Sequence, residues 1–340
     1  MAQDLTAPVI DLEAPDAVAQ IDHACSNVGF FQCRGHGMPQ DVIDDSLEAS
    51  YEFFRLSTDE KDKAGSGDPE IERGFTAAET EGFAYSMGVE TPPDLVQSFS
   101  LGRPTYPDDT VFHTAEHHFF DPNIWPERPA GMREAMEKWY GEVNRLSDHV
   151  LSRVALALDL EEDFFVDKVD HSVDTLRFNY FYVDPDTPEP IAKQFGIGPH
   201  TDYGIMTTMY ATPGPGLQIL GPSGGWVDVY PADGAFLFNL GDLLAQWTND
   251  RYRSTLHRVN PLMPQAERVE RVSVPFFREG NFDNWIECLP SCWSEDNPPK
   301  YAPVNAGEHL MAKFMGGRTM EASEEGVSTL GDRADAVLDD

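Results

Sequence analysis

The amino-acid sequence predicts a mainly β protein with flanking α-helices, in which the strands form a jelly roll. From about residue 175 onward, short runs rich in β-branched and aromatic residues alternate with clusters of Gly, Pro, Asn and Asp, a texture typical of antiparallel strands joined by turns. Before them, between about residues 129 and 160, apolar residues recur at steps of three and four, which predicts one long amphipathic helix. The chain of 340 residues, 41% of them hydrophobic, is long enough to bury a sizeable core.

The N-terminal part of the chain alternates strand-like and helix-like segments. Residues 7–12 predict a short strand, and residues 16–29 have helical spacing that ends at a Gly. GFFQCRGHG, residues 29–37, predicts a strand and a turn, and residues 40–63 have the charged amphipathic pattern of one helix. Residues 64–110 are rich in Gly, Pro and Asp, so we expect loops with short ordered pieces there.

The long helix predicted between about Pro129 and Leu160 carries one apolar stripe, formed by Met136, Trp139, Val143, Leu146, Val150 and Val154. We expect it to pack on a sheet as a scaffold. The strand-like runs that follow are TLRFNYFY, GIMTTMY, LQIL, WVDVY, AFLFNL, STLHRV and RVSVPFF. The tail after about Met315 is acidic and poor in large apolar residues, which predicts partial disorder.

The charge and the hydropathy of the chain exclude several classes of partner. With 59 acidic and 24 basic residues, the formal net charge is −35, and such a surface repels the phosphate backbone of a nucleic acid. No run of about 18 apolar residues predicts a membrane span. The N-terminus is acidic and lacks a positive segment, so it does not resemble a signal peptide. We therefore expect a cytoplasmic protein, a monomer, that binds neither nucleic acid nor membrane.

The four cysteines, Cys25, Cys33, Cys288 and Cys292, do not predict a disulfide framework in a chain of this length without a secretion signal. Cys288 and Cys292 are spaced so that they could bind a metal, but no further cysteine lies near them. The sequence therefore favours buried or inert thiols.

The stretch GPHTDYG, residues 198–204, contains a candidate metal site. In an extended strand, side chains two residues apart point to the same face, so His200 and Asp202 can both face the inside of a barrel. A third ligand is available in His257, on the strand-like run STLHRV, and the stretch between them is long enough for four strands to carry the chain round and back. Two His and one carboxylate leave other coordination positions open, the ligand set of non-haem Fe(II) oxygenases.

An anion pocket is predicted downstream, in RVSVPFF. Arg271 and Ser273 are two residues apart on a strand and therefore share a face. An Arg guanidinium can bind a carboxylate through two hydrogen bonds, and a Ser hydroxyl adds a further donor. A buried Arg beside a metal, with no acidic partner in sequence, is best explained by an anionic ligand.

In this order, the segments LRFNYF, GPHTDYG, GLQIL, GGWVDV, FLFNLGDLLAQWTND, YRSTLHRV and RVSVPFF resemble the isopenicillin N synthase-like group of 2-oxoglutarate/Fe(II)-dependent dioxygenases, and VIDL and GFFQCRGHGMP resemble that family's N-terminal segment. The resemblance covers about residues 8–280. It implies a double-stranded β-helix, the jelly-roll core, with flanking helices. It also implies His200, Asp202 and His257 as iron ligands and Arg271 with Ser273 as the group that holds the distal carboxylate of 2-oxoglutarate.

The resemblance further implies an organisation and an activity. Residues 1–128 would form the family's N-terminal mixed α/β segment, 129–170 the scaffold helix region, 171–290 the double-stranded β-helix core with the Fe(II)/2-oxoglutarate site, and 291–340 a helical, partly disordered acidic tail. The enzyme would use Fe(II), 2-oxoglutarate and O2 to oxidise an unactivated C–H of a small molecule, such as one of secondary metabolism. Hydroxylation, desaturation and ring closure remain open, with succinate and CO2 released.

The sequence departs from the family pattern at one position, and one of its motifs has a second meaning. In many members, the first core strand carries an Arg-x-Asn motif followed two places later by a Tyr, and this Tyr touches the cosubstrate. Here that place is Phe181. Asn179 is present and can still contribute a hydrogen bond. The Arg-x-Ser pair also occurs in relatives that use no 2-oxoglutarate, where it binds the substrate's own carboxylate or a small anion. An Fe(II)-dependent oxidase of the same fold is therefore the alternative function.

Candidate substrate-contacting residues at the mouth of the barrel are Phe83, Tyr85, Arg177, Phe181, Phe195, Met206 and Phe277. Arg177, a charge on a strand predicted to be half-buried, either binds a carboxylated substrate or pairs with a nearby acid. Residues 73–88 are a candidate lid. The remaining histidines lack such a context, and we expect them at the surface or at helix caps: His23, His36, His113, His117, His118, His149, His171 and His309.

Two functions from other classes are also open. Gly221-Pro-Ser223-Gly-Gly225 fits the G-x-S-x-G pattern of a serine hydrolase, but that motif requires a strand before it and a helix after it. Strand-like runs flank it on both sides, so the pattern predicts a hairpin turn instead. The other hypothesis is a barrel that binds a ligand without catalysis and has a vestigial metal site. The intact set of metal ligands argues against it.

Overall fold

The computed structural model describes residues 7–68, 70–105, 118–221 and 224–321, and it confirms the predicted fold class. The strands are β1 (Val9–Asp11), β2 (Phe30–Arg34), β3 (Gly74–Thr76), β4 (Gln97–Gly102), β5 (Thr175–Val183), β6 (Ile197–His200), β7 (Met206–Ala211), β8 (Leu217–Leu220), β9 (Trp226–Asp228), β10 (Phe236–Leu240), β11 (His257–Val259), β12 (Val269–Arg278), β13 (Trp285–Ile286) and β14 (Val304–Asn305). The α-helices are α1 (Ala17–Asn27), α2 (Gln40–Phe54), α3 (Thr58–Asp62), α4 (Met132–Ala157), α5 (Val166–Val169), α6 (Asp242–Trp247) and α7 (Ala306–Thr319).

Twelve of the strands form the two sheets of a jelly roll, one large and one small, and β13 pairs with β14 in a separate two-stranded sheet. In the large sheet the order is β1-β2-β10-β7-β12-β5-β4-β3, and in the small sheet it is β6-β11-β8-β9. All neighbours pair antiparallel except β1 with β2. The seven strand-like runs that the sequence predicts after residue 175 correspond to β5 and to β7–β12. The sequence did not predict β6, the short strand that ends at His200.

The scaffold helix α4 packs on the large sheet, as predicted. All six residues of its predicted apolar stripe are buried. Trp139 lies at the centre of this contact, with its ring 5.7 Å from that of Phe178 on β5 and 6.4 Å from that of Phe236 on β10. Burial of large side chains on one helix face stabilises the layer by roughly 1.5–3 kcal/mol for each side chain, and this layer supports the strands that carry the site.

The prediction of one helix over residues 40–63 was wrong, because the segment forms α2 and α3 with a break between them. The break is a capping box: the side chains and backbone amides of Ser57 and Glu60 satisfy each other at the start of α3. Ser57 adopts an extended backbone conformation, which a continuous helix does not allow. The sequence Ser-Thr-Asp-Glu carries the signature of such a box and could have shown the break.

The C-terminal segment contains a helix that packs against the core. Asn305 caps α7 by accepting a hydrogen bond from the backbone of Glu308 at 3.1 Å, and the helix continues past Met315 to Thr319. The rest of the predicted acidic tail, from residue 322, lies outside the described residues. His309 was expected at the surface or at a cap, but it is only 1% exposed, because α7 covers one end of the barrel. No described helix has the length and apolarity needed to cross a membrane.

A buried charge cluster attaches α7 to the loop that carries Asp202. Asp242 begins α6, and its backbone N–H donates to the carbonyl of Asp202 at 2.9 Å. The Asp242 carboxylate lies 3.4 Å from Lys313 Nζ on α7 and accepts hydrogen bonds from Thr201 and Ser254. Burial raises the pKa of Asp242, but the charge of Lys313 and the hydrogen bonds outweigh burial and lower it. The carboxylate therefore stays ionised and depends on this lysine.

We expect Lys313→Met to destabilise the protein by about 3 kcal/mol, the cost of leaving a buried charge without its partner. Urea unfolding measures the change. Lys300→Met is the matched control: Lys300 pairs with Asp250 at 2.9 Å, but its side chain is 46% exposed, so its loss should cost less than about 1 kcal/mol. Equal losses in the two variants would contradict the role assigned to Lys313.

Candidate active site

Three buried side chains converge between the two sheets: His200, Asp202 and His257. His200 ends β6 and His257 begins β11, and the two lie opposite each other in the antiparallel register. Asp202 follows β6 by two residues, and its Oδ1 lies 3.6 Å from Nε2 of His200 and 3.7 Å from Nε2 of His257. Within the described ranges this is the one group of three or more His, Cys, Asp or Glu side chains spaced to hold a metal ion.

Both imidazole rings are oriented by backbone carbonyls. Nδ1 of His200 lies 2.8 Å from the carbonyl of Gly198, and Nδ1 of His257 lies 3.1 Å from the carbonyl of Thr255. Each Nδ1 is therefore the protonated nitrogen, and each Nε2 directs its lone pair at the space that Asp202 faces. Burial, with the nearby His257, lowers the pKa of His200 to about 3. The ring is thus neutral, which is the form that binds a metal.

The carboxylate of Asp202 is held from the side opposite to the histidines. Its Oδ2 accepts hydrogen bonds from the hydroxyl of Thr207 on β7 and from the amide of Asn239 on β10, the latter at 2.5 Å. Oδ1 is left for the site. Asp202, on the loop after β6 of the small sheet, is therefore oriented by β7 and β10, which are adjacent strands of the large sheet. The donor set of two neutral imidazoles and one oriented carboxylate oxygen fits Fe(II).

We expect Asn239→Leu and Thr207→Val each to weaken Fe(II) binding by about 10- to 100-fold, the usual effect of removing a partner that orients a metal ligand. An anaerobic Fe(II) titration measures this. Thr208→Val is the control, because Thr208 is buried on the same strand but its hydroxyl pairs with Ser147 at 2.8 Å. An Fe(II) affinity unchanged in both test variants would contradict the orienting role.

The predicted anion pocket lies beside these residues, on β12 and β5 of the large sheet. Arg271 pairs with Phe181 and Ser273 with Asn179 across the two strands. The Arg271 guanidinium lies 4.7 Å from the centre of the Phe181 ring and donates to the carbonyl of Pro215 at 2.6 Å. Phe181, which stands where many relatives have Tyr, therefore contributes a ring face to Arg271 rather than a hydroxyl to a ligand.

Arg271 is left short of hydrogen-bond acceptors. It is 7% exposed, and its Nε has no hydrogen-bond partner among the described residues. Burial lowers its pKa to about 10, so the side chain remains charged at neutral pH. A buried cation with an unused donor beside a candidate iron site fits the carboxylate of 2-oxoglutarate, since leaving such a donor unpaired costs about 1–3 kcal/mol.

One cavity brings the predicted metal and cosubstrate residues together. It is lined by His200, Asp202, His257, Asn179, Arg271 and Ser273, among others. Asn179 accepts a hydrogen bond from Arg177 Nε through its side-chain oxygen at 2.8 Å. Its amide nitrogen is consequently the group left to donate to a ligand in this cavity, which we call the cosubstrate cavity.

A second cavity shares His200 and Asp202 with the cosubstrate cavity as lining residues. Three of the predicted substrate-contacting residues line both cavities: Phe83, Arg177 and Phe277. We call this space the substrate cavity. The candidate lid over residues 73–88 supplies part of its wall, because its 3-10 helix Phe83–Met87 packs against β6 and α7 with three of its five residues buried.

The other four predicted residues do not line the substrate cavity. Tyr85 hydrogen-bonds to a backbone carbonyl, and Met206 is buried in the main core. Phe181 and Phe195 each lie against the guanidinium group of an arginine. For these residues, sequence reasoning identified aromatic or apolar side chains near the site without indicating which way they point.

Arg177 pairs with acidic residues. It is 1% exposed and donates to Glu81 through both terminal nitrogens, at 2.5 and 3.2 Å, with Glu72 at 3.4 Å. Burial raises the pKa of Glu81, but the charges of Arg177 and Arg318 outweigh burial and lower it to about 2. Of the two roles open for Arg177, the structure supports the ion pair.

Several residues of the substrate cavity were not predicted. They come from the segments on either side of β3, from the 3-10 helix His118–Phe120, from the start of β5, from the residues next to Asp202 and β12, and from the C-terminal helix α7: Glu72, Glu81, Phe119, Thr175, Tyr203, Glu279, Leu310, Phe314, Gly317 and Arg318. The one sequence signal available was the apolar spacing of Leu310 and Phe314, four residues apart.

The described residues give no support to a serine nucleophile or to a metal site formed by cysteines. Ser223 lies outside the described residues, and β8 and β9 on either side of it pair antiparallel, as the hairpin interpretation predicts. The cysteines are free thiols: Cys25, Cys33 and Cys292 are buried and Cys288 is partly buried.

Comparisons with known proteins agree with this geometry. Residues 7–128 match the family described as the non-haem dioxygenase in morphine synthesis N-terminal domain, and residues 172–280 match the 2OG-Fe(II) oxygenase superfamily. The 2-oxoglutarate-Fe(II) type oxidoreductase hxnY of Emericella nidulans is 35% identical over 87% of this chain and 83% of its own. Homoarginine-6-hydroxylase 2-ODD-233 of Oryza sativa subsp. japonica is 30% identical over 90% of this chain and 91% of its own.

Solved structures show the same likeness. A full-length Neurospora crassa protein in complex with α-ketoglutarate has a TM-score of 0.77 and 26% identity, covering 92% of this chain and 98% of that one. JOX2 in complex with 2OG, Fe and JA has a TM-score of 0.75 and 28% identity, covering 95% and 88%. These findings do not support the serine hydrolase hypothesis or the hypothesis of a binding barrel with a vestigial metal site. The chain belongs to the 2-oxoglutarate/Fe(II)-dependent oxygenase family and is an oxidoreductase that uses Fe(II) and 2-oxoglutarate.

Proposed function

We propose that His200, Asp202 and His257 bind Fe(II), and that Arg271 and Ser273 hold the distal carboxylate of 2-oxoglutarate in the cosubstrate cavity. The observation that carries this proposal is the convergence of all five side chains on one cavity, with Arg271 buried and missing an acceptor. Asn179 is proposed to donate a further hydrogen bond to the cosubstrate. When bound, iron and 2-oxoglutarate together supply the oxidising power for C–H oxidation, with release of succinate and CO2.

The residues of this chain contribute position and the exclusion of water. The carbonyls of Gly198 and Thr255 orient the two imidazoles, while Thr207 and Asn239 orient the carboxylate. Such preorganisation holds the reacting groups near their productive geometry without reorganisation during the reaction. Phe83 and Phe277, which line both cavities, keep the space beside the iron ligands apolar.

We propose a small-molecule substrate that occupies the substrate cavity in contact with Phe83, Arg177 and Phe277, with a C–H bond presented to the iron. The names of relatives, such as homoarginine-6-hydroxylase, azadirone synthase and validamycin A dioxygenase, refer to small molecules of different chemistry and support a role in secondary metabolism. Hydroxylation, desaturation and ring closure begin with the same C–H cleavage.

The test is an anaerobic titration of the purified protein with Fe(II) and then 2-oxoglutarate, followed by admission of O2. We expect the weak visible charge-transfer band of an α-keto acid chelated to iron, and then slow formation of succinate without added substrate. Iron binding without the band or succinate would refute the proposed 2-oxoglutarate site. Failure to bind iron would refute the proposed metal ligands.

We also infer a monomer in the cytoplasm, organised as the N-terminal segment 1–128, the helix region 129–170, the core 171–290 and the tail 291–340. Four free cysteines are consistent with a reducing compartment. The net charge of −35 opposes self-association through any face that is acidic on both copies. Light scattering of the purified protein tests the monomeric state, and fractionation of cells tests the cytoplasmic location.

A further inference from the structure

One oxygen of a buried carboxyl group in the substrate cavity has no hydrogen-bond partner among the described residues. Glu279 follows β12 directly, lines the substrate cavity and is 8% exposed. Its Oε2 is buried and has no hydrogen-bond partner in the part of the chain that the structure describes. Its backbone is held in place, since its N–H donates to Asp174 at 2.9 Å. An unpaired buried carboxyl group costs free energy, which a ligand of the right charge would recover.

The two arginines that line the cavity form their short contacts with Glu81 and not with Glu279. Arg177 and Arg318 both donate to Glu81, each with a contact of 2.5 Å. Glu72, whose side chain is 12% exposed, has a looser contact of 3.4 Å with Arg177. Three glutamates and two arginines therefore line this space in addition to the candidate iron ligands. Glu81 takes the short contacts of both arginines. Burial and the nearby acidic residues raise the pKa of Glu279 well above its usual value, so this is a carboxyl group that a cation beside it would ionise.

The remaining walls are ring faces. Phe83, Phe119, Phe277 and Phe314 line the same cavity. The negative faces of aromatic rings attract cations, by about 0.5–2 kcal/mol for each well-placed ring. Arg177 already uses the Phe83 ring in this way, with its guanidinium carbon 5.2 Å from the ring centre. A carboxyl group that has no counter-charge and is surrounded by aromatic rings can bind a positively charged nitrogen.

We propose that the substrate carries a positively charged nitrogen, as an amine, a guanidine or a protonated nitrogen heterocycle, which pairs with Glu279 and Glu72. This inference rests on the proposed function, because it places that nitrogen beside the C–H bond that the iron site oxidises. A substrate carboxylate at this position is disfavoured, since Arg177 and Arg318 already donate to Glu81 and the carboxylate would lie beside two further carboxyl groups.

The test compares ligands that differ only in their charged end, namely 4-phenylbutylamine, 4-phenylbutanol and 4-phenylbutyrate, with benzylamine, benzyl alcohol and benzoate as a shorter series. Binding is measured by calorimetry to protein loaded with Mn(II) and 2-oxoglutarate. In at least one series we expect the amine to bind at least about tenfold more tightly than the alcohol, the order of one charge-assisted hydrogen bond. The carboxylate should bind more weakly than the alcohol.

Glu279→Gln keeps the shape of the side chain and removes its charge. We expect it to reduce the preference for the amine by about tenfold, with a smaller reduction in Glu72→Gln. Glu267→Gln, a change at an exposed glutamate, should leave the preference unchanged. An unchanged visible Fe(II)/2-oxoglutarate band shows that each variant is folded and has an intact iron site.

The outcomes separate this inference from the proposed function. Absence of the Fe(II)/2-oxoglutarate band in the unmodified protein refutes the proposed function itself. A normal band together with no amine preference in either series, a preference for the carboxylate, or a preference that persists in Glu279→Gln overturns the inference alone.

Discussion

Asp202→Asn should abolish turnover and reduce Fe(II) affinity by more than the roughly 10- to 100-fold expected for a residue that only orients a ligand. The substitution preserves shape, so the effect comes from charge and from the direction of the amide. Thr207 and Asn239 both donate to Oδ2. They would select the oxygen of the substituted amide side chain at that position and turn its NH2 group toward the two Nε2 atoms, where a donor repels a cation.

The measurements are an anaerobic Fe(II) titration and 2-oxoglutarate-dependent succinate formation. Asp202→Ala separates the two causes, because it removes the charge without presenting an NH2 group, so it should bind Fe(II) at least as well as Asp202→Asn. Asp228→Asn, at an exposed position on β9, is the control and should behave like the parent. If Asp202→Asn retained activity within about tenfold of the parent, less than the loss of even an orienting partner, the ligand assignment would be wrong.

The sequence predicted the parts of the site that depend on strand periodicity. Arg271 and Ser273 share a face of β12 because side chains alternate along a strand, and His257 begins a strand that the sequence identified. For the same reason, the short β-rich runs were sufficient to predict the jelly roll. These features are local: each requires only a few consecutive residues and the order of the segments.

The partners that complete the site were not predictable in this way. Thr207 and Asn239 reach Asp202 from β7 and β10, so their role depends on the register between strands, which the sequence does not give. Glu279 lies one residue beyond β12 and has no local pattern that distinguishes this buried residue from a surface glutamate. The helix α7 reaches the substrate cavity from a segment whose composition indicated a tail. Long-range packing determines all of these features.

Arg271→Ala should raise the 2-oxoglutarate concentration needed for half-maximal activity by about 30-fold or more, since loss of one member of a buried charge pair costs roughly 2–5 kcal/mol. Arg271→Lys should be intermediate, because an ammonium retains the charge but cannot offer two parallel donors to a carboxylate. Ser273→Ala, which removes one neutral donor, should cost about 1 kcal/mol, or roughly fivefold. Titrations of 2-oxoglutarate followed by the visible band and by succinate formation give all three values.

The pattern of the losses identifies the anion that Arg271 binds. Arg271 is absent from the substrate cavity and lines the cosubstrate cavity with the candidate iron ligands. Its removal should therefore weaken 2-oxoglutarate while leaving Fe(II) affinity and the apparent substrate affinity at saturating 2-oxoglutarate unchanged. Arg268→Ala is the matched control, because Arg268 precedes the same strand but pairs with Glu270 at an exposed position. If Arg271→Ala instead weakened substrate binding and left the 2-oxoglutarate titration unchanged, Arg271 would bind a substrate carboxylate.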